Sequence, residues 1–277
     1  IKYYKNFMPV KHLLKAHIKD IFRLRFRILP ITLWWKYHSA KYLYKKYITE
    51  EFDVEIAFFG IETIKIISGS TNKNACKIGW IHSSNCKQFF GFVKNSEIDK
   101  IYKNIQKIIC VSIESKELIE NKFGRFENLF VVNNPSNCEK IKTLSLEYLN
   151  IKKKKFTFIN VSRIDDKSKG FLRLLSVCKR LNDENFVFDF WIVGDGLDRE
   201  KVEAKVKEFR LKNIVLFGQQ NNPYKYMVKA DMYLCGSYYE GFSMTMSEAI
   251  ILAKPILTTV VSGVSEMLGD GKYGFIV

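Results

Sequence analysis

The sequence predicts an α/β protein built as two successive domains, each a parallel sheet flanked by helices, and three observations predict it. Short apolar runs recur from residue 52 onward, each closed by Gly, Asn-Pro or a small polar loop and followed by a stretch with helical spacing. Strands that alternate with helices in this way form parallel sheets. The rhythm breaks once, over a polar stretch at 136–155 that ends in Lys152-Lys153-Lys154-Lys155, and then starts afresh. The 277 residues, 47% hydrophobic and 27% charged, suffice for two ordinary domains with real cores.

The elements follow in order. Residues 1–49 are basic and aromatic: Asp20 stands against Lys2, Lys5, Lys11, Arg23, Arg25 and other cations, and Leu14, Ile18, Ile21, Phe22 and Phe26 recur at helical spacing. Pro30 ends that helix, and a second helical stretch carries Trp34, Trp35, Leu43, Tyr44 and Tyr47. A buried strand is expected over 54–59, a short helix over 64–68, strands over 76–81, 108–112 and 129–133, and a helix reaching Gly124 before the last of these. Residues 136–155 read as a connector. Beyond it, strands are expected over 156–161, 186–193, 214–217, 232–235 and 255–259, and helices over 170–181, 199–209, 223–230 and 243–252. Gly274-Phe275-Ile276-Val277 reads as a strand in mid-course. The domains are 1–145 and 146–277. The N-terminus lacks a methionine and a signal-peptide layout, so both ends read as interior sequence.

The formal charge of +16 attracts polyanions, which include nucleic acid, anionic lipid headgroups and phosphorylated substrates. The N-terminal helices read as a solvated face, a membrane-surface pair or a polyanion site. Six cysteines with no C-x-x-C pair exclude a zinc or disulfide framework and fit a reducing cytosolic compartment. No apolar run reaches the ~18 residues of a spanning helix.

Open parallel sheets bind ligands beyond the C-terminal ends of their strands. In the second domain those ends carry Ser162, Arg163 and Lys169-Gly170; Gly194-Asp195-Gly196; Gly218-Gln219; Glu240-Gly241-Phe242; and Gly263-Val264 with Glu266. Small, cationic and acidic residues on one edge suit a diphosphate joined to two sugars. Arg163 offers a fork and Lys169 a point charge to the phosphates, although Lys167 lies close enough to serve instead. Gly194 and Gly241 permit close backbone approach, and Asp195 shapes its own turn. A helix starting near Ser243 presents free N–H groups to an anion and stabilises a departing diphosphate without a metal. Glu248, one or two turns in, can accept both hydroxyls of a ribose, and Glu240 lies nearer the phosphates and the sugar.

The stretch Glu240-Gly241-Phe242-Ser243-Met244-Thr245-Met246-Ser247-Glu248-Ala249 resembles the E-x7-E signature of family-4 retaining glycosyltransferases. Val161-Ser162-Arg163 with Lys169-Gly170, Val193-Gly194-Asp195-Gly196, Phe217-Gly218, Ala230-Asp231, Lys254-Pro255 and Gly263-Val264-Ser265-Glu266 fall in that family's order. Phe52-Asp53-Val54-Glu55-Ile56-Ala57, Trp80-Ile81-His82 and Asn134-Pro135 are similar to its bacterial polysaccharide enzymes. The resemblance implies a GT-B fold of two Rossmann-like domains facing a cleft, with the acceptor on the first and the donor on the second. It implies transfer with retention and no metal or other cofactor beyond a UDP- or GDP-linked donor. By position, Arg163 and Lys169 bind the diphosphate, Glu248 the ribose and Glu240 the donor sugar. Gly194, Gly218, Gly241, Phe242 and Ser243 line the donor, and His82 faces its sugar as the second catalytic residue. The implied partners are a nucleotide sugar, a glycan or lipid-linked acceptor and an anionic membrane surface, with no nucleic acid. The implied place is the cytoplasm, peripheral on the inner face of the cell membrane. The family's opening strand with its glycine-rich loop and its crossing C-terminal helix have no counterpart here, and Ser243 stands where a second glycine is common. Two alternatives are an epimerase on the same fold and a basic binder of membrane or nucleic acid.

Overall fold

A computed structural model describes residues 41–42, 44–45, 48–58, 61–82, 103–125 and 127–277. The predicted helix around Leu14–Phe26, the Trp34-Trp35 pair and Cys86 lie outside the described residues. The first sheet is parallel, in the order β1 (Val54–Ala57), β2 (Cys76–Ile81), β3 (Lys107–Cys110), β4 (Leu129–Val131). Helix α1 (Ile61–Ser68) follows β1 and α2 (Ile113–Phe123) follows β3. Ile64, Ile67, Ile108, Cys110, Ile119 and Leu129 form its core. Ser112 ends the predicted third strand as a helix cap instead: its Oγ accepts from Ser115 N at 3.1 Å, which satisfies an otherwise orphaned donor. Gly124 closes α2, as its spacing predicts.

The second sheet has six parallel strands in the order β10-β9-β8-β5-β6-β7: β5 (Phe156–Val161), β6 (Phe188–Val193), β7 (Ile214–Gly218), β8 (Met232–Cys235), β9 (Ile256–Thr258) and β10 (Phe275–Ile276). Its strands are apolar nearly throughout because both faces are covered. Ile159, Val161, Trp191 and Val193 point into one core with Tyr233, Met227, Met246 and Leu268. Phe188, Phe190 and Ile192 point into the other with Phe171, Leu175 and Val202. The period of two along β6 therefore decides which core each side chain enters.

The 136–155 stretch differs from its expectation as a plain connector. It contains α3 (Cys138–Ser145), capped by Asn137 Oδ1 accepting from Lys140 N at 2.9 Å. That helix lies against α7 (Tyr224–Lys229) and α8 (Met244–Ile251), and Asn222 Nδ2 donates to Leu144 O at 2.8 Å. Two short helices also escape the sequence reading: α4 (Asp166–Lys169) and α9 (Val264–Leu268). After α4 run α5 (Phe171–Asp183) and α6 (Arg199–Glu208), each within a residue or two of its predicted span.

Candidate functional site

The strand order places the site. From β5 the chain winds outward through β6 and β7, then returns to the other side of β5 as β8, β9 and β10. β5 and β8 are direct neighbours, with Phe158 beside Met232 and Ile159 beside Tyr233. Loops leaving such a pair turn apart and open a crevice at the C-terminal edge. Arg163 and Lys169 leave from β5, and Glu240 and Glu248 leave from β8.

These two loops are clamped together. An added Cβ on Gly170 would lie 2.3 Å from Gly236 O, and Gly170 has a φ of +66°, so only glycine suits the position. Tyr238 N donates to Ser168 O at 2.8 Å, and Arg173 Nη2 donates to Gly236 O. The result is an ion pair across the crevice: Lys169 Nζ lies 2.6 Å from Glu240 Oε1, and the two side chains are 19% and 12% exposed. Ser237 Oγ donates to the same carboxylate oxygen at 2.7 Å. Lys167, the alternative cation, is exposed. Sequence reasoning aimed Lys169 at phosphate, and the structure joins it to Glu240. Helix α4, which sets its direction, is too short to show a period.

Arg163 is exposed and meets Asp165 at 3.5 Å, so its guanidinium is loosely held. Glu248 is half-buried on α8 and accepts from the Tyr224 hydroxyl at 3.0 Å. Burial raises its pKa above the ordinary carboxylate value, and the bond from Tyr224 opposes that shift. Burial and the Glu248 charge push the Tyr224 phenol up to about 12. Tyr224 was missed from sequence because it lies 24 residues before Glu248 in a helix without a motif. Arg163 and Glu248 share the switch-point edge, yet each bonds a neighbour of its own rather than the other.

Gly241 and Ser243 are buried, and Ser243 caps α8 without a side-chain bond to its amides. Ser243 O accepts from Ser247 N at 3.1 Å. Gly194 N donates to Gly218 O at 2.8 Å, joining the ends of β6 and β7. Asp195 Oδ1 accepts from Gly196 N at 2.8 Å, the local role its turn implies. Asp231 and Lys254 are structural: Asp231 Oδ2 accepts from Thr157 N at 2.8 Å, and Lys254 Nζ donates to Val228 O and Ala230 O.

From the first domain, His82 packs edge-on against Phe58, with centroids 4.5 Å apart, and parallel to Trp80. Burial lowers its pKa, opposed by the Phe58 backbone and the Asn134 side chain, so the neutral imidazole prevails at pH 7. Among the described residues its buried Nε2 has no hydrogen-bond partner at normal length. Asn134 Nδ2 reaches Phe242 O at 3.4 Å, so the two domains touch beside the E-x7-E loop. A reciprocal exchange completes the contact. Glu266, on α9, accepts from Ile113 N at the start of α2 and from Asn133 Nδ2 at 3.1 Å. Glu114, on α2, accepts from Gly263 N at the start of α9. Each carboxylate meets the positive end of the other's helix.

Two parallel Rossmann-like sheets flanked by helices define the GT-B fold. Residues 142–277 match the family model of the glycosyl transferases group 1. It is 28% identical over 223 residues to an uncharacterized glycosyltransferase of Methanocaldococcus jannaschii, covering 76% of this chain and 54% of the relative. It is 27% identical to the poly(ribitol-phosphate) alpha-N-acetylglucosaminyltransferase of Staphylococcus aureus, covering 85% and 47%. The structure of S. aureus TarM superposes with a TM-score of 0.69 at 23% identity, covering 86% and 48%. Anabaena HepE, solved with UDP and glucose, superposes at 0.66 and 16% identity, covering 86% and 67%. The chain spans about half the length of the curated relatives it matches.

Proposed function

We propose that this chain forms the donor-binding core of a retaining glycosyltransferase that moves a sugar from UDP or GDP to a glycan or lipid-linked acceptor in surface-polysaccharide synthesis. The observation that carries the reading is the switch point, where the β5 and β8 loops hold Lys169 against Glu240 beside the uncapped start of α8. As the glycosidic bond to the diphosphate lengthens, negative charge grows on the leaving oxygens. Arg163 and the α8 amides meet that charge without a metal. Glu248 accepts the ribose hydroxyls in place of the Tyr224 proton. Glu240, held by Lys169 and Ser237, orients the donor sugar, and His82 faces it from the first domain. The name of a Campylobacter jejuni relative, 29% identical, specifies a diphospho-undecaprenol substrate, which supports a lipid-linked acceptor. No helix among the described residues is long and apolar enough to cross a membrane. The +16 charge suits a cytoplasmic protein resting on an anionic leaflet.

A thermal-shift panel of UDP, GDP and ADP tests this. A matching nucleotide at about 100 Kd adds roughly 2.7 kcal/mol, which raises the midpoint several degrees. Glu248→Ala and Arg163→Ala are expected to abolish most of that shift. Full retention in both variants sinks the site assignment.

A further inference from the structure

The cleft between α2 and the loops after β8 and β9 holds a cavity of about 380 Å³, within the range of small-molecule sites. Its walls come from both domains: Glu117, Leu118 and Asn121 on α2, Tyr238 and Tyr239 after β8, and Ser262 after β9. None of the nucleotide positions lines it. We propose that this cavity receives the acceptor sugar and selects a unit without negative charge. The proposal rests on the glycosyltransferase reading above.

The wall chemistry is that of carbohydrate recognition. Tyr238 and Tyr239 lie with ring centroids 6.3 Å apart and are each about half exposed, so they offer flat apolar faces to the C–H face of a sugar ring. Tyr238 is braced from outside the cavity: the Arg173 guanidinium sits 4.1 Å from its ring centroid and also bonds Gly236 O. Such a ring stacks with little loss of side-chain freedom. Glu117, Asn121 and Ser262 supply acceptors and donors for hydroxyls at the rim.

Charge sets the selectivity. The chain carries 45 Lys and Arg against 29 Asp and Glu, yet among the described residues this wall contains Glu114 and Glu117 and no lysine or arginine. Glu117 forms no ion pair among the described residues, and Glu114 donates nothing, since its carboxylate accepts from Gly263 N. A phosphate or carboxylate on the acceptor unit would meet like charge here, whereas a neutral or amino sugar would not. Tyr239 precedes Glu240 in the loop after β8, so one loop carries both this wall and the carboxylate assigned to the donor sugar.

Saturation-transfer NMR on the full chain, with and without UDP, tests the proposal with methyl N-acetylglucosaminide and N-acetylglucosamine 6-phosphate as probes. The neutral probe is expected to bind at least tenfold more tightly. Tyr239→Ala is expected to weaken it about tenfold, and Glu117→Lys to narrow or reverse the preference, while both variants keep the UDP thermal shift. Equal binding of the two probes, binding of neither, or a preference indifferent to Glu117→Lys overturns the subsite. A missing shift with both UDP and GDP in the unsubstituted chain strikes the glycosyltransferase reading instead, and the sugar preference still decides the cavity.

Discussion

The switch-point edge of the second sheet and the boundary between the two sheets are held by different means. At the switch-point edge, backbone meets backbone: Gly170 lies against Gly236 O, and an added Cβ on Gly194, whose φ is +144°, would fall 1.9 Å from Ser162 O. A mostly buried ion pair closes the same loops. At the boundary, by contrast, side chains reach single backbone groups: Glu266 and Glu114 accept from amides, and Asn134 donates to a carbonyl. The first kind of contact has no alternative arrangement, because a main-chain clash cannot be relieved by a rotamer change. The second kind exchanges readily with water. The difference teaches that main-chain packing fixes the switch-point loops, while the boundary between the sheets rests on side-chain hydrogen bonds.

Three sets of substitutions sharpen or break that contrast. The largest effect is expected at the backbone contacts, where Gly170→Ala or Gly194→Ala should lower stability by about 3 kcal/mol or more, read by urea unfolding. An unchanged midpoint would show the loops to be plastic. Next comes the ion pair. Lys169→Met removes the cation that faces the mostly buried Glu240 carboxylate and should cost about 1–3 kcal/mol. Adding Glu240→Gln should recover part of that loss, because it removes the buried charge that the lysine offset. Additive losses in that double-mutant cycle would mean the pair is uncoupled. The smallest effect belongs to the boundary. Glu114→Gln with Glu266→Gln should change stability by about 1 kcal/mol or less while broadening the distance between spin labels on α2 and α9. An unbroadened distribution would place the boundary with the rigid contacts.

Much of this was legible in the chain. The runs at 76–81, 156–161 and 232–235 became strands with those bounds, because apolar β-branched and aromatic residues bounded by polar turns admit little else. Helix α2 stopped at Gly124, as its C-terminal glycine signals. The edge carrying Arg163, Lys169, Glu240 and Glu248 was also readable, since every strand of a parallel sheet ends on the same side. Helices α4 and α9 were not readable, because four or five residues show no periodicity. Helix α3 was hidden by its polar composition. Its mean hydropathy resembles a loop, and its order comes from the Asn137 cap and from the faces of α7 and α8 it lies on.

The sequence by itself determined the two-sheet architecture and the residue types at the switch-point edge, since both follow from local periodicity and from motifs closed within about ten residues. Only the tertiary structure decided that Lys169 pairs with Glu240 across 71 residues, that Tyr224 bonds Glu248, and that Glu114 and Glu266 exchange helix ends across about 150. Periodicity fixes the face a side chain occupies. Its partner is fixed by which loops the strand order brings together, and that depends on contacts too distant along the chain to leave a local pattern.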